Sequence, residues 1–343
     1  MHGGDWAIYD ATTWAEKNFL DLSSSISPYG PGPRARLLWP SLIDRLDRYP
    51  DWRKSQVSEQ LARHLRVDTR NLIVTAGAME AIELLFQAYH PHHVLIKIPA
   101  FSEYETRALL HGQNVSYVTG PKDLSSGPGM LFIANPANPT GHLLSEKDLQ
   151  QYKEWAYGHG HIMVVDEAFI EFVENWHHHS VMQEAIQSDH LVVLGSLTKF
   201  YGLAGLRIGF LVGQEDVIAK ISQHTYSWHV SLVAQEMAVA SLHDQTYFEL
   251  TRSWIHKEKQ RLQDLLQPFG RVDDAAQANY FLLFPKLQSC DDIIKGLITQ
   301  GILVRDARTF KGLDQPAIRI AVKRPKDSDR LVKALSAIYG ITR

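Results

Sequence analysis

The sequence predicts an α/β protein, with a large domain built on a mostly parallel sheet between helices and a smaller α+β domain beside it. Three observations carry this. Short apolar runs alternate with amphipathic stretches from roughly residue 72 to 215. Unusual residues cluster just after those runs, where open α/β sheets place their ligands. Beyond residue 245 the order changes to a long polar helix followed by strands and helices in mixed succession. The expected boundaries are 46–245 for the large domain, with 1–45 and 246–343 forming an N-terminal arm and the small domain.

With 343 residues, 45% of them hydrophobic, the chain can bury a sizeable core. A formal charge of −3 argues against nucleic acid or an anionic membrane as the main partner. No apolar run is long enough to span a bilayer, and Met1-His2-Gly3-Gly4-Asp5 is no signal peptide, so a cytoplasmic location is expected. Cys290 stands alone, which excludes an intrachain disulfide and a cysteine zinc cluster.

Residues 1–45 read as irregular around Ser23-Ser24-Ser25-Ile26-Ser27-Pro28. Alternating Leu20, Leu22 and Ile26 favour an ordered arm over a flexible linker. Tyr49-Pro50-Asp51 precedes a helix from about Lys54 to Leu65. Leu72–Thr75 reads as a strand, Ala76-Gly77-Ala78 as a turn and Met79–Tyr89 as a helix. Such a turn leaves backbone N–H groups free to cradle a phosphate. Val94–Ile98 is the next strand, ending at Pro99-Ala100-Phe101, and Met130–Ala134 ends at Asn135-Pro136-Ala137-Asn138-Pro139-Thr140-Gly141. Ser145 caps the following helix. Ile162–Val165 then runs into Asp166-Glu167-Ala168-Phe169. His177-His178-His179 cannot all face one ion in a strand or helix, so a solvated loop and no metal site are expected. The second part reads as helix Tyr247–Leu266, strand 280–284, helix 291–299, strands Ile302–Arg305 and Ile318–Val322, and a last helix from Asp327.

The chemistry centres on the segment after the apolar run Leu191–Leu194, which reads S-L-T-K-F-Y-G-L-A-G-L-R-I-G-F. A lysine beside a buried strand is costly without a partner or a covalent task. For Lys199 the task that fits is a Schiff base with an aldehyde cofactor. Ser196 and Arg207 suit a phosphate, one as a hydroxyl donor and the other as a planar fork.

Together with N-P-A-N-P-T-G and V-D-E-A-F, this segment resembles the fold-type I pyridoxal-phosphate enzymes of the class I/II aminotransferase group, over nearly the whole chain. The resemblance implies that fold and pyridoxal 5'-phosphate as cofactor. It assigns Lys199 as the Schiff-base lysine and Asp166 to the pyridine nitrogen. Asn138 goes to the ring O3′, Phe101 to the ring face, and Ser196, Arg207 and the Gly77-Ala78-Met79 turn to the phosphate. The residues themselves leave alternatives: Glu167 competes with Asp166, Asn138 suits an Asx turn, and Phe101 suits plain core. Arg319, within Ile318-Arg319-Ile320, is implied to clamp a substrate carboxylate. Tyr49 is implied to reach the cofactor phosphate of a neighbouring subunit, hence a homodimer with shared sites.

Two branches of the group fit, histidinol-phosphate aminotransferases and L-threonine-O-3-phosphate decarboxylases. Four details resemble the second. They are the opening His2-Gly3-Gly4, the run Phe101-Ser102-Glu103-Tyr104-Glu105, the pair I-L-V-R-D and F-K-G-L from Ile302 and Phe310, and Phe169. Aminotransferases of the group usually carry a tyrosine at the last position, bonded to O3′. The implied reaction is decarboxylation of threonine phosphate to (R)-1-amino-2-propanol O-2-phosphate, a step of cobalamin synthesis, with the aminotransferase as alternative. A phosphorylated amino acid needs cations beyond Arg319, and Arg305 and His2 are the candidates, with Asn138 also near the substrate. Two positions depart from the decarboxylase pattern. Ser27 stands where an asparagine is usual, and Lys311 where an arginine is. Regulators with a related domain also carry a DNA-binding unit, for which this chain shows neither the length nor a basic patch.

Overall fold

The computed structural model describes residues 3–4, 19–124, 129–286 and 288–341. The arm is ordered. Leu20–Asp21 forms β1, paired in parallel with Ile302–Leu303. Just beyond it the Asp21 carboxylate accepts from the backbone and hydroxyl groups of both Ser23 and Ser24, which fixes the serine run as a turn. The arm is not irregular to its end, however. Pro33–Leu38 is an α-helix that continues as a 3-10 turn over Trp39–Arg45. The density of proline and glycine before it reads as linker, yet Pro33 occupies the first helical turn, where its fixed φ is preorganised.

The large sheet has seven strands: β2 (Leu72–Thr75), β3 (His93–Lys97), β4 (Asn114–Val118), β5 (Met130–Ala134), β6 (Ile162–Asp166), β7 (Leu191–Ser196) and β8 (Gly209–Val212). Their order is β2-β8-β7-β6-β5-β3-β4, and β8 alone runs against both its neighbours. β5 is buried at every position, as its continuous apolar run requires between two helical layers. Its residues alternate between two cores: Leu131 and Ile133 face one, Met130 and Phe132 the other. β4 was not expected as a strand, because at the sheet edge Asn-Val-Ser-Tyr-Val is half-exposed and carries no apolar run. β8 was also missed, because Gly209 and Phe210 read as the end of the glycine-spaced lysine segment.

The helices fall close to expectation. Ser55–Leu65 begins one residue late because Lys54 is left-handed, with φ 56°. Ala78–Tyr89 begins one residue early, at the Gly77 turn. Ser145 caps Glu146–His159 by accepting from the Asp148 N–H. The long helix is Gln245–Leu266, and the last is Pro325–Tyr339 with Asp327 in its capping turn. The histidine run forms a short turn, Trp176–His178, with His177 stacked on Trp176. Among the described residues no cluster suits a metal ion, and no helix is long and apolar enough to cross a membrane.

A second sheet comprises β9 (Gly270–Val272), β10 (Tyr280–Pro285), β12 (Arg305–Asp306) and β13 (Ile318–Ala321), antiparallel in the order β12-β13-β10-β9. The strand expected over Ile302–Arg305 is split. Ile302–Leu303, β11, pairs with the arm, while Arg305 turns into the other sheet. Continuous hydrophobicity could not reveal that two distant partners divide it.

Candidate active site

A cavity of about 240 Å³ opens at the carboxyl ends of the parallel strands, between the two sheets. The reversed direction of β8 explains how its chemistry converges. Gly209, the first residue of β8, pairs with both Thr75 and Ser196, the last residues of β2 and β7. Arg207, two residues before it, therefore lies between the Gly77 turn and Ser196. A Cβ on Gly209 would stand 2.8 Å from the Ala78 nitrogen and 2.9 Å from the Gly195 oxygen, so three backbones meet only because it is glycine. Gly77 has φ +84°, and a Cβ there would meet the Arg207 guanidinium at 2.7 Å. That leaves an open cradle of first-turn N–H groups from Ala78 and Met79, faced by Arg207, with Ser196 and Thr198 alongside. The two hydroxyls bond each other at 2.7 Å.

Lys199 reaches into the centre. Its amine makes no hydrogen bond among the described residues and stands 5.8 Å from the centroid of the Phe169 ring. Burial, with Arg319 and Arg207 adding to it, lowers its pKa to about 8, against the opposing pull of Asp166. Asp166 ends β6 and accepts from the Tyr104 hydroxyl and, at 2.9 Å, from the Ala168 N–H. Burial raises its pKa, which the Tyr104 bond and the Ala168 amide oppose. The competition with Glu167 is resolved by direction. Glu167 does not line the cavity: it is 2% exposed and accepts from the Ser180 hydroxyl and the Val181 N–H. Burial pushes it up to about 8.

Asn138 and Phe101 also line the cavity. The Asn138 Oδ1 accepts from Arg319 at 2.6 Å, leaving its amide N–H₂ for a ligand. The second Arg319 nitrogen donates to the Ser23 carbonyl at 2.6 Å, while its buried Nε has no partner. Arg305 and Arg319 are direct cross-strand partners on β12 and β13. They are 8% and 5% exposed, and among the described residues neither has a carboxylate in ion-pair range. Arg305 donates to the Thr309 hydroxyl at 3.1 Å. Burial, with Arg305 adding to it, lowers Arg319 to about 10. Like charges directly opposite destabilise a strand pair, and a buried unpaired ion costs several kcal/mol. A pair so placed could hold anions.

Tyr49, expected at a neighbouring subunit's site, lies away from this cavity. Tyr49 is 81% exposed and packs on Trp228, with ring centroids 5.2 Å apart. His2 lies outside the described residues, although its neighbour Gly3 lines the cavity and Gly4 donates to the Ser23 hydroxyl. Of the two departures, Ser27 lies outside the cavity, buried, with its N–H on the Lys199 carbonyl. Lys311 bonds Glu105 and Tyr117 in an adjoining cavity of about 150 Å³ that shares Arg305 and Phe310. Sequence reasoning gave no role to Tyr104, Thr198, Ser24 or Ser25, all of which line the main cavity. Thr198, between Ser196 and Lys199, was legible by position; the serines lie in an arm that was expected to be ordered but whose packing partner the sequence did not name.

The residues fit pyridoxal phosphate. The cradle that a Gly77 side chain would fill suits a dianion, Asp166 a protonated ring nitrogen, and Lys199 an aldehyde. Among the described residues four cations and one carboxylate line the cavity, an excess that suits anionic ligands.

Comparison with known proteins agrees. The family model described as aminotransferase class I and II matches residues 17–335. A threonine-phosphate decarboxylase of Salmonella typhimurium is 29% identical over 358 residues, covering 99% of this chain and 97% of that protein. A histidinol-phosphate aminotransferase of Methanocaldococcus jannaschii is 26% identical over 342 residues, covering 94% and 90%. The crystal structure of the histidinol-phosphate aminotransferase from Clostridium acetobutylicum superposes with a TM-score of 0.85 at 26% identity, covering 94% of this chain and all of that one.

Proposed function

The chain belongs to the class I and II aminotransferase family, with the pyridoxal-phosphate fold-type I architecture, and from that premise we propose that it decarboxylates L-threonine O-3-phosphate. The observation that carries this reading is the buried pair Arg305 and Arg319, facing each other across β12 and β13 with no carboxylate between them. Once Arg207 is given to a cofactor phosphate and Lys199 to its aldehyde, two cations of the lining remain, Arg305 and Arg319. Threonine phosphate offers two anions, a carboxylate and a phosphate. Histidinol phosphate offers one. The described Gly3 beside the cavity and Phe169 beside Lys199 support the same branch.

Bound pyridoxal phosphate supplies an aldehyde and a ring that withdraws electrons from the substrate α-carbon. The chain's own residues do the rest. Ser196, Arg207 and the Ala78 and Met79 N–H groups hold the cofactor phosphate. Asp166, whose carboxylate accepts from Tyr104 and Ala168, would hold a proton at the ring nitrogen. Lys199 attaches the cofactor and moves protons near the α-carbon. Arg319 orients the substrate carboxylate and Arg305 binds its phosphate, and this two-point grip selects which bond is loosened. The reading includes a homodimer: Tyr49 lies away from its own cavity and is exposed, as a residue serving a partner's phosphate must be.

A second reading, histidinol-phosphate aminotransferase, has its own support. Glutamate, the usual amino donor, carries two carboxylates that would use the same two arginines. Incubation with threonine phosphate separates them. The first expects CO₂ release without 2-oxoglutarate; amino transfer that requires 2-oxoglutarate and releases no CO₂ would overturn it.

A further inference from the structure

Behind the phosphate cradle, away from the cavity, three ionisable side chains form a chain that the chemistry above does not use. Lys54 Nζ lies 2.8 Å from His229 Nε2, and His229 Nδ1 lies 2.6 Å from Glu80 Oε1. The other Glu80 oxygen accepts the Ala76 N–H at 2.5 Å. Donor counting fixes the direction. An ammonium only donates and a carboxylate only accepts, so Lys54 donates to Nε2 and Nδ1–H donates to Glu80. His229 is held from both sides, at Nε2 by Lys54 and at Nδ1 by Glu80.

The placement is unusual. Glu80 lies in the first turn of the helix whose N–H groups form the cradle, and its carboxylate turns back onto the residue just before Gly77. The His229 and Glu80 side chains are 7% and 18% exposed, so both are largely desolvated. Lys54 at φ 56° and Trp228 at φ 61° hold left-handed conformations that non-glycine residues seldom adopt. One of them is Lys54 itself, at one end of the hydrogen-bonded chain, and the other immediately precedes His229, at its middle. The chain runs from the start of helix Ser55–Leu65, through the loop before helix Leu232–Leu242, to the turn between β2 and helix Ala78–Tyr89.

The geometry points to Glu80, backed by His229 and Lys54, as the positioning residue of the cofactor-phosphate site: by tying down the Ala76 N–H it fixes the Gly77 turn with the Ala78 and Met79 N–H groups aimed at the phosphate. This rests on the cofactor reading above. A second consequence follows from charge. A lone carboxylate in that turn would repel a dianion, and Lys54 offsets it through the His229 ring.

The test compares two ligands that differ only in the phosphate, pyridoxal phosphate and pyridoxal, by equilibrium binding to the cofactor-free protein. Removing a hydrogen bond to a charged group is worth about ten- to hundredfold. Glu80→Ala should therefore weaken pyridoxal phosphate by about that factor and leave pyridoxal within about twofold. Glu80→Gln keeps an oxygen for Ala76 and should recover most of the loss. His229→Ala should act in the same direction, and adding it to Glu80→Ala should cost little more, as for members of one network. Circular dichroism checks folding; should Glu80→Ala not fold, Glu80→Asp, with its carboxylate withdrawn by one methylene, takes its place. Equal weakening of both ligands, no weakening, or Glu80→Gln as weak as Glu80→Ala would overturn the inference alone. Wild-type protein that binds neither ligand would overturn the cofactor reading with it.

Discussion

Lys199 and its neighbours show how burial sets reactivity one residue at a time. Its pKa of about 8 means that the amine is mostly protonated below that pH and neutral above it. Capture of pyridoxal phosphate by the cofactor-free protein, followed by the rise of near-visible absorbance, should accelerate with pH, reach half its limit near pH 8 and level off about one unit higher. A pH-independent rate between 6 and 9 would show that burial does not tune this lysine. Borohydride should then fix the cofactor to Lys199. Phe169 bears on reaction type, since its ring lies beside that amine and edge-on to Tyr280. Phe169→Tyr should add a phenol near the cofactor O3′, lower the pH at which the bound cofactor's absorbance titrates, and slow CO₂ release without abolishing it. An unchanged titration midpoint would remove Phe169 from the argument. Glu167 carries a different effect. Its folded pKa, about 8, lies above the ordinary value of 4.5, so the folded state holds a proton that the unfolded state releases between those values. Stability from this group is present below about pH 4.5 and lost as pH rises toward 8. Glu167→Gln should thus match wild type in thermal midpoint at pH 5 and exceed it at pH 8; a gap independent of pH would count against the shift.

At the scale of elements, the site depends on one turn and one pair of strands. The Gly77 turn leaves no room for a side chain, both from its φ of +84° and from Arg207 at 2.7 Å. Gly77→Ala should keep the sheet, because β2 ends before it, yet weaken pyridoxal phosphate by at least about tenfold, corresponding to roughly 1.4 kcal/mol or more of strain and displaced contact. Normal affinity in that variant would mean that the cradle is not where the phosphate sits. The paired arginines predict the opposite sign for stability. Arg305→Met removes a buried like charge from beside Arg319, so the ligand-free protein should become no less stable. Its KM for threonine phosphate should rise by an order of magnitude or more, about the worth of a charge-assisted bond. A lower thermal midpoint with unchanged KM would make Arg305 structural.

For the whole molecule, the arm is what closes the site. It pairs with β11, gives the Ser23 carbonyl to Arg319 and places Ser24 and Ser25 at the cavity. Exposed Leu37 and Ile43 lie in its last part, with Leu46 and Tyr49 just after it, a stretch that the proposed partner subunit would cover. Mixed Tyr49→Phe and Lys199→Ala proteins, each inactive alone, should regain activity on subunit exchange if Tyr49 serves the partner's site. No recovery after demonstrated exchange would confine the site to one chain.

What the sequence by itself determined was the material of the active site. Lys199, Asp166, Asn138 and Ser196 were legible because each ends or follows a buried strand, where an α/β sheet exposes its backbone to ligands, and Arg207 was legible from its place in G-L-R-I-G after Lys199. The elements that carry them are local, set by short apolar runs and by glycine and proline punctuation. Tertiary structure alone decided the rest, because it depends on contacts between distant segments. No periodicity says that β8 runs backwards and so delivers Arg207 to Gly77, or that Arg305 turns from the arm's strand to face Arg319. Nor could it turn Asp166 into the cavity and Glu167 away from it: adjacent carboxylates on one chain are chemically alike until a fold gives one Tyr104 and the other Ser180.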